Sequence, residues 1–138
     1  MTHGTHNALE DPRNQDINIF INGQLHPREE AKISVFDSGY LVGDGVWEAF
    51  RVHQGKMIFV HKHLDRLWQS AKVLGIFIPF SREKLLQNIQ TTLDTNEMKD
   101  HIHVRVMLTR GIKKQPSQNP RLNISGPKLV IIAEHTTA

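Results

Sequence analysis

The alternation of apolar and polar residues along the chain predicts several strands. From His101 to Thr109 every second residue is aliphatic, as in a long strand with one buried face. Val46 to Val52 alternates in the same way, and Lys56 to Val60 returns as its hairpin partner after the turn at residues 54–55. Pro127 to Glu134 contains a continuous apolar run, which predicts a central strand that is buried on both faces.

Two further segments have helical periodicity. His61 to Leu74 places its apolar residues three and four positions apart, and Gly75 follows at the position that ends many helices. Ser81 is expected to cap a second helix that closes at Asn96. Earlier in the chain, the Asn-Gly pair at residues 22–23 separates two short strands and predicts a hairpin. The predicted fold class is therefore α+β, an antiparallel sheet with two helices packed on it.

A length of 138 residues suits a single domain. Residues 1–15 are polar and aperiodic and predict a flexible tail, so that residues 16–138 form the domain. The N-terminus lacks the apolar core of a signal peptide, and no apolar run approaches the ~20 residues of a membrane-spanning helix. A cytoplasmic location without membrane contact is expected. The absence of cysteine excludes disulfides, thiolate metal sites and a cysteine nucleophile.

The net charge of +3 raises the question of a nucleic-acid partner. The basic residues are dispersed, however, and the densest cluster is only Lys113 and Lys114. Nucleic acid is therefore not an expected partner, whereas a small positive excess suits an anionic small ligand.

Four residues are candidates for a binding site. Arg66 lies opposite the apolar stripe of the first helix, where periodicity favours a solvated arginine and an anion site is the alternative. Trp47, Ala49 and Arg51 project from one face of their strand, either as an ordinary mixed surface or as the wall of a substrate site. The Walker phosphate loop and the G-x-S-x-G elbow are both absent from the sequence.

Three motifs resemble those of one enzyme family. Residues 36–48 read FDSGYLVGDGVWE, residues 63–67 read HLDRL, and residues 109–111 read TRG. In this order and spacing they resemble class IV aminotransferases, which use pyridoxal 5'-phosphate (PLP), and among these the branched-chain and D-amino-acid types. The resemblance covers nearly the whole chain after the tail. It implies the small α+β N-terminal domain of a homodimeric enzyme that holds PLP between this domain and a larger C-terminal one.

The resemblance also implies roles for the candidate residues. Arg66 matches the arginine that binds the PLP phosphate, which reverses the interpretation from periodicity. Trp47 matches the aromatic residue of the substrate pocket, with Ala49 and Arg51 on the same wall. The complete enzyme would transfer an amino group from an amino acid to a 2-oxo acid.

Two departures from the family pattern are present. The loop of residues 113–118 is expected to reach the partner subunit's active site, but Gln115 and Ser117 stand where D-amino-acid aminotransferases carry an arginine and a histidine. The lysine that binds PLP covalently belongs to the family's C-terminal domain, and no lysine here matches it, so the chain alone is expected to be inactive. The alternatives are a non-catalytic dimerising or ligand-binding module that keeps the fold and, less favoured, a basic nucleic-acid binder.

Overall fold

A computed structural model describes residues 10–136 of the chain. The predicted tail falls partly outside this range, and its described end forms a short 3-10 helix, Pro12–Asp16. Asn14 in this helix is buried and exchanges two hydrogen bonds with the backbone of His135, at 2.9 and 2.7 Å. The segment that leads into the domain is therefore attached to the end of the last strand.

The centre of the molecule is one six-stranded sheet in which every neighbouring pair is antiparallel. The spatial order of the strands is β2-β1-β6-β5-β3-β4. The strands are β1 (Asn18–Ile21), β2 (Gln24–Pro27), β3 (Gly45–His53), β4 (Lys56–Met57), β5 (Ile102–Thr109) and β6 (Lys128–His135). The α+β prediction is confirmed, including the hairpin at residues 22–23.

Within residues 10–136, three α-helices accompany the sheet: α1 (Ser38–Val42), α2 (Val60–Leu74) and α3 (Arg82–Thr95). Gly75 ends α2 in the left-handed conformation, and the Ser81 hydroxyl caps α3, as predicted. The helices α2 and α3 pack on one face of the sheet, α2 against β3 and α3 against β1 and β6. Leu64, Leu67 and Leu85 are almost fully buried there, each side chain stabilising the fold by about 1.5–3 kcal/mol. Within the described residues, no helix is long and apolar enough to cross a membrane.

Two strand predictions were wrong, one in the length of the strand and one in its burial. The return strand of the β3 hairpin was expected to reach Val60, but β4 ends at Met57 because Phe59 adopts a positive φ of 54° and α2 begins at once. The last strand was expected to be buried on both faces. Leu129 and Ile131 are buried under the helices, whereas Val130 is only half-buried, because α2 and α3 cover the opposite face.

Candidate functional site

The first and third sequence motifs meet in a corner beside α1. Asp37 caps α1 by accepting a hydrogen bond from the Gly39 N–H at 2.8 Å, and its second oxygen accepts one from the Thr109 hydroxyl at 2.9 Å. The Ser38 N–H donates to the Gly111 carbonyl at 2.8 Å, and the Gly111 N–H donates to the Ser38 hydroxyl at 3.2 Å. We call residues 37–39, Asp44 and 109–111 the motif corner.

Arg110 ties this corner to the end of α2. Its Nε donates to Asp44 Oδ2 at 2.5 Å, and its terminal nitrogens donate to the carbonyls of Leu74 and Gly75 at 2.6 and 3.2 Å. The side chain is only 19% exposed. Every part of this guanidinium is engaged by the protein itself, so the arginine of the TRG motif holds two loops together.

The first and second motifs meet at a buried acid. Glu48 lies on the helix-covered face of β3 with its side chain 7% exposed, and His63 Nδ1 is 2.8 Å from Glu48 Oε1. Arg66 Nε lies 3.4 Å from the other carboxylate oxygen. Sequence reasoning did not select Glu48. The available signal was an acidic residue between apolar neighbours on the buried side of a strand, which requires a partner to offset its desolvation.

Arg66 stands at the mouth of a cavity of about 410 Å³, which we call the arginine cavity. The side chain is 72% exposed, in contrast to Arg110. Because β4 pairs only with Val52 and His53, the outer edge of the first half of β3 has no neighbouring strand among residues 10–136. The cavity is lined by this open edge and by α2, through Gly45, Val46, Trp47, Glu48, Ala49, His63, Arg66 and Ser70.

A second, larger cavity of about 620 Å³ lies on the sheet face opposite α2 and α3, and we call it the apolar cavity. Its lining is dominated by aliphatic residues, among them Ile21, Ile33, Met107, Val130 and Ile132. Trp47 borders both cavities and is exposed. The Arg105 guanidinium lies 4.1 Å from the centroid of the Trp47 ring, a cation–π contact. Arg105 was not selected from the sequence, although it alternates on the same strand face as Met107.

The structure thus brings three of the four sequence candidates together. Trp47, Ala49 and Arg66 all line the arginine cavity, but Arg51 lines neither cavity. Arg51 pairs in register with His103 at the other end of β3. Burial lowers the pKa of His103, and the positive charges of Arg105 and Arg51 act in the same direction.

The loop between β5 and β6 departs from its expected role at one residue. Lys113 is 1% exposed, and its Nζ donates to the Asn119 carbonyl and to Asn123 Oδ1, both at 3.1 Å. This ammonium therefore stabilises its own loop. Gln115 is exposed and Ser117 half-buried, and their approach to a partner subunit stays a prediction.

This geometry can be compared with known proteins. The family model described as amino-transferase class IV matches residues 45–137. The "branched-chain-amino-acid aminotransferase-like protein 1" of Arabidopsis thaliana is 41% identical over 127 residues, which are 92% of this chain and 23% of that protein. A D-alanine aminotransferase of Listeria monocytogenes is 34% identical over 106 residues, 77% of this chain and 35% of that protein.

Solved structures agree in fold. A branched-chain amino acid aminotransferase from T.th., solved in complex with N-(5'-phosphopyridoxyl)-L-glutamate, superposes with a TM-score of 0.76 at 28% identity over 87% of this chain and 41% of its own. The branched-chain aminotransferase of Thermoproteus uzoniensis gives a TM-score of 0.71 at 25% identity, over 87% of this chain and 41% of its own. The chain thus spans less than half the length of these proteins. It belongs to the class IV aminotransferase family.

Proposed function

We propose that residues 16–138 form the N-terminal domain of a PLP-dependent aminotransferase and that this domain binds the cofactor phosphate and walls the substrate site. The observation that carries the proposal is Arg66, an exposed guanidinium that a buried carboxylate holds at the mouth of the arginine cavity. The complete enzyme would move an amino group from an amino acid to a 2-oxo acid, in agreement with the names of its relatives.

The arginine cavity suits a phosphate monoester. Arg66 directs Nε towards Glu48, and within the described residues no hydrogen bond engages its two terminal nitrogens. A guanidinium with free terminal nitrogens binds phosphate oxygens in bidentate geometry. The Ser70 hydroxyl lines the same cavity and offers a further donor. When bound, PLP supplies the electron sink that transamination requires.

The apolar cavity supports an aliphatic amino acid as substrate. Its lining of isoleucine, valine and methionine side chains matches a branched hydrocarbon chain, and Trp47 separates it from the phosphate side. Arg105 lines neither cavity itself, but its guanidinium stacks on Trp47, which borders both, and from there it would offer a cation to a substrate carboxylate. Arg51, the sequence candidate for a cation on this wall, also lines neither cavity. We extend the proposal to a homodimer. In the complete enzyme, the remaining domain or the partner subunit would cover the sheet face opposite α2 and α3.

The 138-residue chain by itself is expected to lack transaminase activity. Its described residues place no lysine in the wall of the arginine cavity, and PLP transaminases need such an amine to hold the cofactor and to move the proton. In an assay with PLP, L-leucine and 2-oxoglutarate we expect no L-glutamate above background. Turnover that increases with the concentration of the pure chain would contradict this part of the proposal.

Phosphate recognition is tested by titrating the chain with pyridoxamine 5'-phosphate, which has no aldehyde to react with surface lysines. Pyridoxamine, which lacks the phosphate, is the matched ligand, and calorimetry or ³¹P NMR provides the readout. Arg66→Ala should weaken binding of the phosphorylated ligand at least about tenfold, the equivalent of about 1.4 kcal/mol. Arg121→Ala is the control, since it removes the same charge from an exposed loop position.

Equal binding of the two ligands, or equal effects of the two substitutions, would overturn the phosphate-site proposal. The non-catalytic module remains the competing function. An intact mass of 138 residues for the protein isolated from its source cells, together with phosphate binding, would favour that module over a transaminase domain.

A further inference from the structure

Three side chains that could ligate a metal meet far from both cavities. They lie at the end of β3 and at the entry to β5, whereas the cavities lie at the beginning of β3. His53 Nδ1 is 3.1 Å from Asp100 Oδ1, and His101 Nε2 is 3.7 Å from Asp100 Oδ2. The three potential ligand atoms lie within 4.8 Å of one another, which no other group of three such residues achieves in the described range.

The backbone fixes the relative positions of these side chains. Val52 pairs with Ile102 in the β3–β5 ladder, so His53 and His101 extend from adjacent strand ends. The Gln54 N–H donates to Asp100 Oδ1 at 2.9 Å and orients the carboxylate.

Two further bonds anchor the neighbouring turns. The Gly55 N–H donates to the Lys99 carbonyl at 2.7 Å, and the Thr136 N–H donates to the His101 carbonyl at 2.8 Å. The ligands therefore stand on two strand ends, those of β3 and β5, which are joined to each other and to the end of β6. This anchoring lowers the entropy lost when they close around an ion.

The ligand types and spacing indicate a particular class of cation. Around a tetrahedral Zn²⁺ with bonds near 2.0–2.1 Å, neighbouring ligand atoms are separated by roughly 3.3 Å. Each histidine nitrogen lies near this separation from a different Asp100 oxygen, 3.1 Å for His53 and 3.7 Å for His101, and one ligand atom from each of the three residues lies within 4.8 Å of the others. Two imidazoles and one carboxylate suit zinc and its neighbours in the first transition row, whereas Mg²⁺ and Ca²⁺ prefer oxygen ligands.

We propose that His53, Asp100 and His101 bind one divalent transition-metal ion of the zinc class. The side chains are 55%, 41% and 48% exposed, which leaves room for water to complete the coordination shell. The ion would link the β3–β4 turn to the connection between α3 and β5. Because it binds the folded chain, it raises the stability of the domain. This site is independent of the proposed PLP site and does not require aminotransferase activity.

The test is calorimetric titration of the full chain with ZnCl₂, in a His3→Ala/His6→Ala background that removes the two histidines of the N-terminal segment. One equivalent of Zn²⁺ should bind, and the melting temperature should rise with the Zn²⁺ concentration. His53→Gln, Asp100→Asn and His101→Asn should each weaken binding by at least about tenfold. Asparagine is chosen at position 101 because His101 has a positive φ of 53°, which asparagine tolerates.

His26→Gln and His61→Gln are the matched controls, since they remove histidines on other elements. Both should retain wild-type Zn²⁺ affinity. A Co²⁺ titration provides a second readout, because visible absorption bands of a nitrogen- and oxygen-ligated ion should appear in the wild type and disappear in the His53 variant. Absence of Zn²⁺ binding, or equal loss in the control variants, would overturn the proposal. Circular dichroism of each metal-free variant establishes that it is folded.

Discussion

Two arginines of neighbouring motifs have opposite environments. In the motif corner, Arg110 contacts one carboxylate and two carbonyl oxygens and is 19% exposed. At the arginine cavity, Arg66 has one carboxylate contact, at 3.4 Å, and is 72% exposed. A guanidinium whose three nitrogens all donate within the protein stabilises the fold, whereas one with free terminal nitrogens is available to a ligand. The comparison shows that membership of a motif does not by itself determine whether a residue binds a ligand or maintains the structure.

The motif corner explains why the first and third motifs occur together. Asp37 and Ser38 are far in sequence from Thr109 and Gly111, yet the bonds between the two segments hold α1 against the end of β5. Gly39 has no space for a side chain, because a Cβ there would lie 2.5 Å from the Thr109 methyl group. The corner is therefore a rigid support for β3, which carries Trp47 and Glu48 to the cavity.

The largest expected effect separates the two arginines by stability. Arg110→Ala should lower the free energy of unfolding by roughly 2–4 kcal/mol, because it leaves Asp44, itself only 17% exposed, without its partner and frees two carbonyls. Arg66→Ala should cost about 1 kcal/mol or less, since the Arg66 guanidinium is 72% exposed and its loss leaves Glu48 with its closer partner, His63, at 2.8 Å. Urea unfolding monitored by circular dichroism measures both. Equal losses of unfolding free energy in the two variants would contradict the distinction between a structural Arg110 and an available Arg66.

A smaller effect is expected at Glu48, which lines the arginine cavity and contacts His63 and Arg66, but is itself buried. Glu48→Ala should lower the free energy of unfolding by about 1–3 kcal/mol, because the His63 ring loses its acceptor and a cavity forms under α2. Glu48→Gln should cost less, since its amide oxygen can still accept from His63. Urea unfolding in the same buffer ranks the two variants. A glutamine variant as unstable as the alanine variant would show that the charge itself is required.

The smallest expected effect is on the pH dependence of the free energy of unfolding, through His103 on the sheet face opposite α2 and α3. Burial lowers the pKa of His103 below its ordinary value of 6.5, so below that pH the unfolded chain binds a proton that the folded chain resists. The free energy of unfolding should therefore fall as the pH decreases from 7 towards 5. His103→Gln should flatten this slope, whereas His61→Gln on the exposed side of α2 should leave it unchanged. Urea unfolding at several pH values measures the slope, and an unchanged slope in His103→Gln would contradict the assignment.

Much of the fold could be predicted from the sequence, because an element that is buried on one face must repeat its apolar residues with the period of a strand or a helix. The alternation of residues 102–109 and the helical stripe of α2 each specify which side chains face the core, and both elements occur where their period predicts them. The three motifs also identified the family. The extent of β4 could not be predicted, because it depends on where the chain turns into α2.

The tertiary structure decided which residues line the candidate site. Periodicity places Arg66 and Arg110 on polar positions and cannot distinguish them, because their partners lie 18 and 66 residues away, at Glu48 and Asp44. It also predicted a doubly buried β6, since an apolar run does not reveal that α2 and α3 cover only one face. The sequence by itself determined the elements and the family, through local period and motif order. Only the folded chain determined which charges are satisfied and which remain available, because that depends on distances between segments remote in sequence.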